Sequence, residues 1–99
     1  MIKHIVMFRL KEQTPNGRNT DLMKLKNILD DLKKKISEIQ YLQTGLNIST
    51  RPVAFDLVLT TEFFTQGDLN TYINHPEHKK VVEFLKLVNK ETAVVDYEF

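Results

Sequence analysis

The spacing of the apolar residues changes along the chain in one fixed order, and that order constrains the fold more than any single motif. From Ile2 it is near the two-residue repeat of a strand, then the three-to-four-residue repeat of a helix, then strand again twice, helix, and strand to Phe99. Residues 2–10 read as the first strand, with Ile2, His4, Val6, Phe8 and Leu10 on one face and Lys3, Ile5, Met7 and Arg9 on the other. Apolar side chains sit on both faces at its middle, as expected when both faces are covered. Residues 11–19 read as a turn-rich connection, with Pro15, Asn16 and Gly17 as breakers. A helix is expected over Thr20–Glu38, where Leu22, Leu25, Ile28, Leu29, Leu32, Ile36 and Ile39 form one stripe. The Lys33–Lys35 run lies off that stripe and reads as a solvated face near a helix end.

Strands are expected over 42–49 and 54–63, spaced to pair as a hairpin. Gln66–Asn74 reads as a short helix that His75–Pro76 interrupts, because the residue before proline avoids the helical region. Pro76 suits the first position of a new helix, which runs to about Val88 with Val81, Val82, Leu85 and Val88 as its stripe. Thr92–Phe99 closes the chain as a strand. The order β-α-β-β-α-β predicts an α+β, ferredoxin-like domain over residues 1–99, a four-stranded antiparallel sheet with its helices on one face. The other face would then carry Ile5, Met7, Val58, Val95 and Tyr97, an apolar patch that predicts a homodimer formed through the helix-free sheet face.

Composition narrows the function. With 14 basic and 13 acidic residues the net charge is +1, which argues against a broad surface for nucleic acid or for an anionic membrane. The fold order is shared with RNA-binding domains, but AFDLVLTTEF, the third strand, has no Lys or Arg to serve that role. There is no cysteine, so thiolate metal sites, disulfides and cysteine nucleophiles are excluded. No apolar run reaches the roughly 20 residues of a membrane span, and Lys3, His4 and Arg9 interrupt the amino-terminal stretch too early for a signal-peptide core. A cytoplasmic protein is the expectation. His75 and His78 lie three residues apart, but the proline between them and the lack of a supporting carboxylate motif give no metal site. No residue singles out heme, and no cofactor is expected.

His78 stands three, four and seven residues before Val81, Val82 and Leu85, so it projects from the apolar stripe of its helix. Tyr72 shares a face with Leu69 and Ile73, and His4 shares one with Val6 and Phe8. Asp96 has the parity of Val94 in the last strand and could reach the same space. A neutral imidazole suits general acid–base work, a carboxylate fixes its tautomer, and a phenol can donate to a developing oxyanion. On this reading His78 is the base, Tyr72 the oxyanion donor and Asp96 the orienter, with His4, Phe8, Leu57 and Leu59 contacting substrate.

The segments KHIVMFRL, TGLN, AFDLVL, YINHPEH and VVDYEF, in this order over essentially the whole chain, resemble the stress-responsive dimeric α/β-barrel (Dabb) domain. The resemblance implies a homodimer in which two four-stranded sheets form a barrel. It also implies chemistry of one kind: a plant member of the family closes a linear polyketide by aldol condensation without metal or organic cofactor. That enzyme's catalytic tyrosine and histidine match Tyr72 and His78, and its amino-terminal histidine matches His4. Its cavity is shaped by aromatic residues on the first helix, where this chain has leucine, isoleucine and methionine, so cyclisation of that substrate is not implied. Two functions follow as expectations. One is a small-molecule pocket protein, a cofactor-independent lyase, cyclase or isomerase acting on a carbonyl compound. The other is a non-catalytic structural or stress-protection dimer. A cavity among His4, Tyr72 and His78, rather than leucines filling that space, separates them.

Overall fold

A computed structural model describes residues 1–99. The elements run β1 (Ile2–Leu10), α1 (Pro15–Asp30), α2 (Leu32–Lys35), β2 (Tyr41–Leu46), β3 (Leu57–Phe63), α3 (Gln66–Asn74), α4 (Pro76–Val88) and β4 (Asn89–Glu98). One antiparallel sheet is ordered β2-β3-β1-β4, the ferredoxin-like arrangement that the alternation of spacings predicts.

The register sets two different faces. On one side the cross-strand rows are His4 with Thr61 and Asp96, Val6 with Leu59 and Val94, and Phe8 with Leu57 and Thr92. On β1 and β3 this side is buried under the helices, where Leu25, Leu29, Leu32, Leu69 and Val81 complete the core around Phe63. The opposite side carries Lys3, Ile5 and Met7 against Glu62, Thr60 and Val58, and against Tyr97, Val95 and Ala93. No helix covers it, and Val95 is 58% and Tyr97 43% exposed. No helix is long and apolar enough to cross a membrane.

Four boundaries differ from the sequence expectation. Pro15, Asn16 and Gly17 do not break the chain; they form the first turn of α1. Thr14 is the N-cap, its hydroxyl accepting from the Gly17 N–H at 3.2 Å, and a proline in that first turn gives up no hydrogen bond. The first helix ends at Asp30 and restarts for a single turn, so the stripe extends past it: Ile36 and Ile39 are buried from irregular backbone. Between β2 and β3, residues 47–56 form a loop rather than strand. The Arg9 guanidinium holds it by donating to the carbonyls of Pro52 and Ala54, and Asp56 accepts from the Leu10 N–H at 2.8 Å and from Arg18. β4 begins at Asn89, directly from the end of α4.

Candidate functional site

His4 lies mid-sheet on β1, between Thr61 of β3 and Asp96 of β4. The antiparallel pairing of β1 with β4 therefore puts a carboxylate beside an imidazole that is only 6% exposed. Asp96 Oδ1 accepts a hydrogen bond from His4 Nδ1. A carboxylate only accepts, so Nδ1 carries a proton in this pair, and Nε2 is the end of the ring that can offer a lone pair.

The second arm of the site comes from α3 and α4. Thr65 caps α3, its hydroxyl accepting from the Asp68 N–H at 3.0 Å, and this helix buries Leu69 and Tyr72 on one side. His75 leaves the helical region before Pro76 and caps α4 with its own ring, Nδ1 accepting from the Glu77 N–H at 3.1 Å. That break redirects the chain so that His78, one turn into α4, returns over Tyr72 with ring centroids 4.7 Å apart. Tyr72 also packs edge-on to His4 at 6.0 Å and against Phe63 at 5.1 Å. Its ring is 1% exposed, and its hydroxyl finds no hydrogen-bond partner within the chain.

These groups border a cavity of about 460 Å³ between the helix layer and the β1–β4 half of the sheet. His4, Phe8, Leu59, Tyr72 and His78 all line it, so five of the residues singled out in the sequence come together. Asp96 lies behind His4 rather than in the wall, and its partner is His4, not His78. Leu57 is outside the wall, 2% exposed in the core. The sequence reading missed Val81, Val82 and Leu85 as wall residues, although their stripe was in plain view, and missed Asn89, Thr92 and Val94 on β4. Thr92 and Val94 share the parity of Asp96 on β4. No three His, Asp or Glu side chains gather in metal-binding geometry, and His75 Nδ1 is taken up by its capping bond.

Burial favours the neutral forms of Tyr72 and His78. Burial pushes the Tyr72 phenol well above its ordinary range, so it stays a hydrogen-bond donor. Burial also pulls His78 below the usual imidazole value, helped by repulsion from His4 and opposed by the Ile73 carbonyl. His78 Nδ1 is buried with no partner. An unpaired phenol, an imidazole held by a carboxylate and a second, neutral imidazole thus share one largely apolar chamber, which suits proton transfer to and from an uncharged organic molecule.

Known proteins bear on this fold and site in different ways. The family model of the stress responsive A/B barrel domain (Dabb) matches residues 2–99. An uncharacterized protein of Streptomyces coelicolor is 28% identical over 103 residues, covering all of both chains. The crystal structure of a dimeric protein of unknown function and ferredoxin-like fold from Bacteroides fragilis superimposes with a TM-score of 0.89 at 32% identity, over 99% of this chain and 95% of that one. A hydroxynitrile lyase from Passiflora edulis shares the fold alone, with a TM-score of 0.78 at 16% identity over 97% of this chain and 90% of its own. With the fold, the β1–β4 register and a match from the second residue to the last, the chain belongs to the stress-responsive A/B barrel (Dabb) domain family.

Proposed function

We propose that the chain works as a homodimer whose cavity takes a small, largely apolar carbonyl compound and catalyses proton transfer at the carbon beside the carbonyl, without a cofactor. The observation that carries this reading is the meeting of the unpaired Tyr72 hydroxyl and the His4–Asp96 pair on one cavity of about 460 Å³. That volume is within the range of small-molecule pockets.

The pairing of Asp96 with His4 moves the role of base from His78 to His4. His4 Nε2 takes the proton from the substrate carbon, the electron pair of that C–H bond forms the C=C bond of an enolate as the carbonyl π pair moves onto oxygen, and Asp96 stabilises the imidazolium that results. Tyr72 donates to the oxygen as charge builds there, and neutral His78 lies against Tyr72 as a second polar group. Return of the proton to another carbon gives an isomerase, and attack of the enolate on a second carbonyl gives a cyclase. The Tyr72–His78 pair resembles that of olivetolic acid cyclase, which supports the second outcome by motif. The Passiflora hydroxynitrile lyase supports only the general point that this fold can hold a lyase. The homodimer reading rests on the uncovered apolar sheet face together with the dimeric Bacteroides protein.

Deuterium uptake at the carbons flanking the carbonyl of decan-2-one, followed by proton NMR in heavy water, tests the chemistry. The expected result is exchange faster than in buffer, lowered about 10²–10³-fold in Tyr72→Phe and lost in His4→Ala. Tyr72→Phe removes a hydroxyl that bonds nothing in the chain, so its urea midpoint should stay near that of the parent. Exchange no faster than in buffer would sink the catalytic reading and leave a non-catalytic stress-protection dimer.

A further inference from the structure

The cavity has a second polar end, far from the histidines. Along β4 the helix-side residues run Asp96, Val94, Thr92, and the antiparallel register carries the same rows through His4, Val6 and Phe8. Four residue steps along the strand take Asp96 to Thr92, about 13 Å at the usual rise. Between them the wall is apolar, with Val6, Leu59, Val94 and Leu85.

At Leu10 the register shifts by one residue, so that Leu10 pairs with Asn89 where regular pairing would bring Lys90. A bulge of this kind re-aims side chains beside a site. Here it puts Asn89 in the cavity wall, while Lys90 reaches out toward Glu12. Asn89 Nδ2 donates to Thr92 Oγ1 at 2.7 Å, and Asn89 Oδ1 is left buried without a partner. Turning the amide would exchange its two ends and leave the N–H₂ over instead. Of the side-chain nitrogens and oxygens wholly closed off from solvent, only Asn89 Oδ1 and His78 Nδ1 lack a partner, and both residues line this one cavity.

From this we infer that Asn89 and Thr92 form a hydroxyl-binding subsite, and that the cavity selects an elongated carbonyl compound with an apolar middle and a hydroxyl group at its far end. A hydroxyl both donates and accepts, so it satisfies the leftover end of the amide in either orientation. A carboxylate fits worse. Lys86, the cation in this part of the wall, is engaged with Glu83 at 3.0 Å, and the carbonyls ending α4 repel an anion. The inference rests on the pocket reading above and adds the class of molecule to it.

Isothermal titration of the whole protein with decan-2-one and with its terminal hydroxy derivative tests the subsite. The parent should bind the hydroxy ketone at least tenfold more tightly. Asn89→Leu should abolish that preference with the fold intact, because the bond that caps α4 is made by the Asn89 backbone N–H, not its side chain. Thr92→Val, with nearly the same shape, should reduce the preference by removing the amide's anchor. Equal affinity for the two ketones overturns the subsite while the pocket stands. Binding of neither overturns both.

Discussion

His78 is where a single residue's surroundings have a consequence that can be measured without any ligand. Its ring is partly buried between Tyr72 and the floor of the cavity, and burial, with His4 second, lowers its pKa from the ordinary 6.5. In the unfolded chain the imidazole takes a proton as the pH falls through that ordinary value, while the folded chain resists. Between the ordinary value and the depressed one the unfolded state therefore binds more protons, and stability falls as the pH is lowered. Above the ordinary value both states are neutral and the effect vanishes. Urea unfolding of the parent and of His78→Leu across pH 5 to 8 should show the parent losing stability more steeply below about pH 6.5, with the slopes matching above it. Parallel curves throughout would mean that His78 is solvated well enough to protonate freely.

At the scale of elements, the helix starts hold the most informative local chemistry, because each of the three longer helices has a side-chain cap of its own: Thr14, Thr65 and His75. Thr14→Ala should cost about 1 kcal/mol in unfolding free energy, since it frees the Gly17 N–H at the start of α1; an unchanged midpoint would mean that water replaces the cap at no cost. The same segment shows what the sequence does and does not reveal. Pro-Asn-Gly is a turn signal, and Thr-Pro is a helix-start signal, so TPNG satisfies both until the apolar stripe behind it decides. By contrast β1, α3 and α4 are legible to the residue, because the apolar, β-branched run ended by a polar stretch and the His75–Pro76 break leave one solution each. His4, Tyr72 and His78 were legible as inward-facing for the same reason: parity and stripe are local properties. The partner of Asp96 was not, because it depends on the register of two strands whose pairing residues stand 92 positions apart in the chain. Leu57 and Leu59 have identical parity, yet Leu59 lines the cavity and Leu57 is closed into the core, a difference that parity cannot supply.

For the whole molecule, the proposed homodimer turns on the open sheet face. Its rows read Tyr41, Glu62, Lys3, Tyr97; then Gln43, Thr60, Ile5, Val95; then Gly45, Val58, Met7, Ala93. The last two hold no charge, and the first offsets Lys3 with Glu62 at 3.6 Å. Small residues at both ends of the third row keep the face flat enough for a second sheet to lie on it. Only 18 of the 99 residues are buried within one chain, so covering this face would enlarge a small core substantially. Sedimentation equilibrium should therefore give twice the 11.6 kDa chain mass, and the melting temperature should rise with protein concentration. Val95→Lys, which sets an unpaired charge in the middle row, should give the single-chain mass and remove that concentration dependence. Leu87→Lys, on an exposed turn of α4 at 72% exposure, should leave the dimer intact. If the parent sediments as a single chain, or if Leu87→Lys rather than Val95→Lys separates the copies, the sheet face is not the interface and the helix layer has to be considered in its place.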